Sequence, residues 1–171
     1  MIDIETFGDT SNSVIVSIGA IRFDMETGEL FEQFYDRIDI DSCLKAGLKI
    51  NGSTLRWWLT RNEESRQEVA KAGSELAKVL HNFGTFINEE DTIWSNGLRF
   101  DVSLLEDAYR ILDLKVPWDF HNERDVRTLM AFDDTIKERY VKENKGIHHH
   151  PIDDCKLQIK YCSEIYNKLK L

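Results

Sequence analysis

The chain has 171 residues, 42% hydrophobic and 31% charged, enough for one domain with a full core and unlike a disordered tail or a disulfide-stapled miniprotein. Its 22 Lys and Arg against 31 Asp and Glu leave a net charge of −9, which excludes a protein that coats nucleic acid through counterion release alone. Three cysteines at no metal-ligand spacing fit a reducing compartment; with no apolar run near ~20 residues and no basic-then-apolar leader, a soluble, cytoplasmic protein without a membrane partner is expected.

Two prolines and no repeat or Gly/Ser linker make residues 1–171 read as a single domain. Ile2 to Thr6 alternates as a short strand, Val14 to Phe23 is a long apolar run, and Leu30 to Ile40 follows a turn at Gly28, giving three strands in meander order. The period then changes. STLRWWLTR (53–61) and NEESRQEVA (62–70) read as helical, and Leu76, Val79, Leu80, Phe83, Phe86 and Ile87 mark an amphipathic helix. Thr92 to Ser95 reads as a strand, Asp101 to Leu112 as a helix on Leu104, Leu105, Ala108 and Leu112, and Val126 to Thr128 as another short strand. A last helix starts at Pro151, a residue favoured at the first helical position, and runs almost to Leu171 on Ile152, Cys155, Ile159 and Cys162. Strands first, then helices alternating with short strands, predict an α/β domain with a mixed sheet flanked by helices.

Side chains alternate across a strand, so in Ile2-Asp3-Ile4-Glu5 both isoleucines face one way and both carboxylates the other, roughly 6.5–7 Å apart. Such a pair belongs either to a solvent-facing edge or to a cation site, and the apolar run next to it favours the cation. Asp101 stands in the inward stripe of its helix, where an N-terminal acid facing the helix dipole is the simpler alternative. Asp154 lies in line with Leu157, Tyr161 and Ile165 at the start of the last helix. Burying unpaired carboxylates costs several kcal/mol each, and two divalent cations would balance all four charges.

Asp3-Ile4-Glu5-Thr6, Asn96-Gly97-Leu98-Arg99-Phe100-Asp101 and His149-His150-Pro151-Ile152-Asp153-Asp154 resemble the three motifs of the DEDDh 3′→5′ exonucleases, the compact phage and bacterial members above all. VIVSIGAIRFDMETGEL, STLRWWL and RDVRT extend the similarity over nearly the whole chain. One such motif means little; three in order at domain-scale spacing are specific. The resemblance implies a ribonuclease H-like sheet in which Asp3 bridges two metal ions, Glu5 and Asp154 complete one site, and Asp101 holds the other. In that scheme cations roughly 3.5–4 Å apart activate a water and stabilise the leaving 3′ oxygen, and all-oxygen ligands suit Mg²⁺ or Mn²⁺.

A general base is also required, and histidine titrates nearest the working pH. The family spacing, His then Asp five positions on, fits His149 with Asp154 and equally His148 with Asp153. The first register is preferred, because Pro151, Ile152 and Cys155 then match the small and apolar positions around it, while Asp153 falls where an acid faces free backbone N–H groups. A zinc site of His148, His149 and His150 is disfavoured, since adjacent residues converge poorly on one ion.

The resemblance assigns Thr6, Phe7 and Gly8 to the 3′-terminal nucleotide, with Phe7 as a wedge against its base; core packing is the other reading of Phe7. Trp57 and Trp58 cannot both face a helix's core, so one, taken as Trp57, is expected at a cleft, where stacking on a base is worth ~1–3 kcal/mol. Residues 137–171 carry +3 and the rest −12, so KERYVKENKG, just before the histidines, either tracks phosphates or is a solvated connection. Met1 lies only two residues before Asp3, which leaves room for a frayed first strand. The function expected is removal of nucleoside 5′-monophosphates from single-stranded or frayed 3′ ends, with DNA slightly favoured over RNA. A catalytically silent module that holds a nucleic-acid end or a protein is the alternative of a different class.

Overall fold

The computed structural model describes residues 1–143 and 149–170. Five strands, β1 (Ile2–Thr6), β2 (Ile15–Phe23), β3 (Leu30–Arg37), β4 (Ile93–Ser95) and β5 (Glu123–Asp125), form one mixed sheet in the order β3-β2-β1-β4-β5. The meander β1–β3 is antiparallel, as Gly28 at a φ of 71° allows in its turn, and β4 and β5 add in parallel on the other side of β1. β1 is therefore central, with its carboxylates at the middle of the sheet.

Helices cover both faces. The described helices are α1 (Ile40–Ala46), α2 (Gly52–Leu59), α3 (Glu63–Ala70), α4 (Leu76–Phe86), α5 (Asp101–Ile111), α6 (Val126–Met130), α7 (Asp134–Glu143) and α8 (Pro151–Leu169). Ile2 and Ile4 of β1 pack with Leu76, Val79, Leu80 and Phe83 of α4 and Leu104, Leu105 and Ala108 of α5. A second cluster gathers Ile21 with Val126, Ile136 and the inner face of α8: Ile152, Cys155, Ile159, Cys162 and Ile165. Burial on both faces explains why β2 reads as a continuous apolar run rather than an alternating one.

Three expectations change, the first being that the strand expected over Leu30 to Ile40 ends at Arg37, with Ile40 starting α1. Val126 to Thr128 is helical, because Asp125 caps it by accepting from the Arg127 amide at 2.7 Å; the short strand lies just before, at Glu123–Asp125. The first strand is not frayed: the Met1 amino group donates to the Ile21 carbonyl at 2.9 Å and the Ile21 amide donates to the Met1 carbonyl at 2.9 Å. Among the described residues no helix is long and apolar enough to cross a membrane.

Candidate active site

Asp3 and Glu5 leave β1 on the face opposite Ile2 and Ile4, and a bulge between Glu5 and Thr6 bends the strand directly after them. Against that face lies the start of α8. Asp3 pairs across the sheet with Gly19, and a Cβ at position 19 would stand 2.5 Å from the Pro151 Cβ. The missing side chain lets the first turn of α8 close onto β1 and bring Asp154 to the strand carboxylates. Asp101 arrives from the other side, through a turn in which Gly97 takes a φ of 121°. It is 4% exposed and accepts from the Ile4 amide at 3.2 Å, which ties its carboxylate to β1.

Asp3, Glu5, Asp101 and Asp154 thus meet from three elements, and their acidities record it. Burial, then Asp101, Glu5 and Asp154, push the Asp3 carboxyl well above the usual range, partly offset by a hydrogen bond from Gln158. Burial and the charges of Asp154 and Asp101 do the same to Glu5. Burial lifts Asp101 to about 7. Among the described residues no lysine or arginine forms an ion pair with Asp3, Glu5 or Asp101. An all-oxygen donor set of buried and half-buried, mutually repelling carboxylates fits a hard divalent cation.

His149 is brought to this cluster. One nitrogen of its ring and one oxygen each of Glu5 and Asp154 lie within 4.8 Å of one another. Its backbone is left-handed, at a φ of 65°, an uncommon state for a residue other than glycine. The ring meets the edges of Trp57 and Trp58, with centroids 4.9 and 5.7 Å away. Trp58 is buried and anchors the pair by donating from Nε1 to the Thr6 carbonyl at 2.8 Å. His150 goes elsewhere: it stacks on Tyr35 at 4.8 Å and its Nε2 lies 4.0 Å from Glu68. Adjacent histidines on divergent paths do not make a shared zinc site. His148 lies outside the described residues.

The four carboxylates and His149 line one wall of a cleft of about 480 Å³, with Thr6, Gly8 and Trp57 around it. Trp57 is 39% exposed and carries the Arg61 guanidinium over its ring at 4.5 Å. Phe7 does not reach the cleft. It is 6% exposed in the core cluster, because the bulge after Glu5 turns it inward, and a wedge role does not suit that placement. The basic segment 137–171 is also less available than its charge implies, with Arg139 paired to Glu164 and Lys168 to Asp133.

Sequence reasoning missed several supporting groups. Asp9, Ser53, Thr54 and Asn96 line the cleft, and Gln158 donates to Asp3 at 2.9 Å. Glu68 of α3, 7% exposed, accepts from Tyr35, Arg37 and Lys71 beside His150. The sole hint in the sequence was Gln158 one helical turn after Asp154, on the same face.

Residues 1–166 match the family model of the Rv2179c-like 3′-5′ exoribonuclease domain. The chain belongs to that family. Two solved structures share its fold over 98% of the chain. Cell-death related nuclease 4 (CRN-4) superposes with a TM-score of 0.66 at 10% identity, and a full-length 3′-exonuclease with 0.62 at 12%. The chain spans 63% of the CRN-4 chain and 80% of the second one. No curated protein sequence matches significantly. Family and fold agree with the DEDDh, ribonuclease H-like resemblance carried by the three motifs.

Proposed function

We propose that the protein is a divalent-metal-dependent 3′→5′ exonuclease that releases nucleoside 5′-monophosphates from single-stranded or frayed RNA ends. The observation that carries this reading is the convergence of Asp3, Glu5, Asp101 and Asp154 beside His149 in an open cleft, with no ion pair to lysine or arginine at the first three among the described residues. RNA takes precedence over DNA on the exoribonuclease description of the family.

Asp3, Glu5, Asp101 and Asp154 would hold divalent cations, Mg²⁺ or Mn²⁺. When bound, the ions supply Lewis-acid activation of water and charge stabilisation at the leaving 3′ oxygen. His149 takes the proton of the attacking water, and the carboxylates of Glu5 and Asp154 favour the imidazolium that results. The water oxygen bonds to phosphorus, the bond from phosphorus to the 3′ oxygen of the penultimate nucleotide breaks, that oxygen takes a proton from solvent to become the new 3′ hydroxyl, and the monophosphate leaves. Trp57 stacks on a base at the cleft mouth, while Thr6 and Gly8 hold the terminal nucleotide.

The test is hydrolysis of matched 5′-labelled RNA and DNA oligonucleotides with Mn²⁺, Mg²⁺ or EDTA. A ladder that shortens from the 3′ end, faster on RNA and absent in EDTA, is expected. No metal-dependent shortening would leave the silent binding module as the better reading; faster DNA cleavage would move the substrate to DNA.

A further inference from the structure

Resting on that reading, we infer that Gln158 is a positioning residue for Asp3: it fixes the Asp3 carboxylate in the candidate metal site and ties α8 to β1 across it. Gln158 stands four residues after Asp154, so the two share a face of α8 one turn apart. It is 4% exposed, among the buried neighbours Cys155, Ile159 and Cys162. Its Nε2 donates to Asp3 Oδ1 at 2.9 Å. Its Oε1 is buried and has no hydrogen-bond partner among the described residues.

That combination is hard to explain by stability alone. A buried amide oxygen without a partner costs about 1–3 kcal/mol, and methionine or leucine would fill the same space without it. What the amide provides is direction. One lone pair of Asp3 Oδ1 is taken by the N–H, which restrains the carboxylate and leaves its other lone pairs available to a cation. The Ile4 amide donates likewise to Asp101 at 3.2 Å, so Asp3 and Asp101 both accept from neutral donors.

Neutrality is the second part of the inference. A lysine or arginine at position 158 would orient Asp3 equally well, but its charge would cancel part of the cluster's and compete with an incoming cation. Glutamine orients without discharging. Because the bond joins the strand that carries Asp3 and Glu5 to the helix that carries Asp154, it also sets their spacing.

The experiment measures Mn²⁺ binding without nucleic acid, by electron paramagnetic resonance, together with steady-state kinetics and melting in EDTA. Gln158→Met is expected to bind Mn²⁺ ~10–100-fold more weakly and to lose kcat by a similar factor, with KM for the oligonucleotide nearly unchanged. Gln158→Lys is expected to melt above the parent protein in EDTA and to lose Mn²⁺ binding. A residue that merely packs would leave the Gln158→Met protein with parental Mn²⁺ affinity and kcat. Gln158→Met with Mn²⁺ affinity and kcat within about twofold of the parent overturns the inference, as the 10–100-fold expectation requires. If that variant does not fold, Gln158→Lys decides: parental Mn²⁺ binding overturns it. A parent protein that binds no Mn²⁺ instead overturns the exonuclease reading on which the inference rests.

Discussion

Asp101→Asn should make the protein more stable and inactive at once, and the pH at which the stability appears is specific. Folding lifts the Asp101 carboxyl from an ordinary value of 3.8 to about 7, chiefly by burial. The folded state therefore holds a proton that the unfolded chain gives up. Below about pH 4 both states are protonated and the group contributes nothing; stability then falls as pH rises, and the loss levels off above about 7. That interval corresponds to at most about 4 kcal/mol of destabilisation at pH 8. Asparagine keeps an oxygen for the Ile4 amide and removes the charge. At pH 8 in EDTA it should recover a good part of the deficit, and half of it, about 2 kcal/mol, is a rise of roughly 4–8 °C in melting temperature for a chain of this size. At pH 4 the two proteins should melt nearly together. Mn²⁺ should stabilise the parent protein at pH 8 and the variant far less, since binding only to the folded state adds stability. Calorimetric melts at pH 4 and 8, with EDTA or Mn²⁺, read all four conditions. An Asp101→Asn protein that melts at or below the parent at pH 8 in EDTA, or a difference independent of pH, would refute the reasoning.

Gly19→Ala places a methyl 2.5 Å from the Pro151 Cβ and should push α8 off β1, costing about 1–3 kcal/mol in urea unfolding and weakening Mn²⁺ binding with it. His149→Ala should lose turnover by ~10²–10⁴-fold with its fold intact, whereas His148→Ala keeps most activity; the opposite result in single-turnover assays would transfer the base to His148. Burial alone would raise Glu68, but donors from Lys71, Tyr35 and Arg37 outweigh it and bring the carboxyl down to about 2. Its contribution is full above about pH 4.5 and is lost as pH falls toward 2, so Glu68→Gln should be less stable at pH 7 and flatten the acid limb of the stability curve.

Local signals in the sequence carried most of the fold. The alternation at Ile2 to Glu5 placed both carboxylates on one face, and the periodicity of α4, α5 and α8 named the residues that now form the two apolar clusters. Where reading failed, a short cap competed with a longer pattern. Asp125 turns the chain into α6 where alternation alone implied a strand, and Asp39, accepting from the Ser42 amide, starts α1 inside what read as the end of a strand. α7 stayed unseen because, of its ten residues, Ile136 alone is buried. The five acid and base candidates were legible because each carries its chemistry in its own residue type. Their supports were not. Gln158 and Asp3 are 155 residues apart, Gly19 matters through a helix that begins at Pro151, and Glu68 acts beside His150, so each role exists only once the sheet has brought distant segments together.

The central claim is that this carboxylate and histidine cluster hydrolyses the terminal phosphodiester from the 3′ side. The most direct measurement is digestion of a short RNA in H₂¹⁸O with Mn²⁺, with mass analysis of the products. The account predicts nucleoside 5′-monophosphates carrying one ¹⁸O on phosphorus, none of them in EDTA, and a loss of product in Asp3→Asn. Release of 3′-phosphates, or of unlabelled monophosphates, or product formation that survives EDTA, would contradict it.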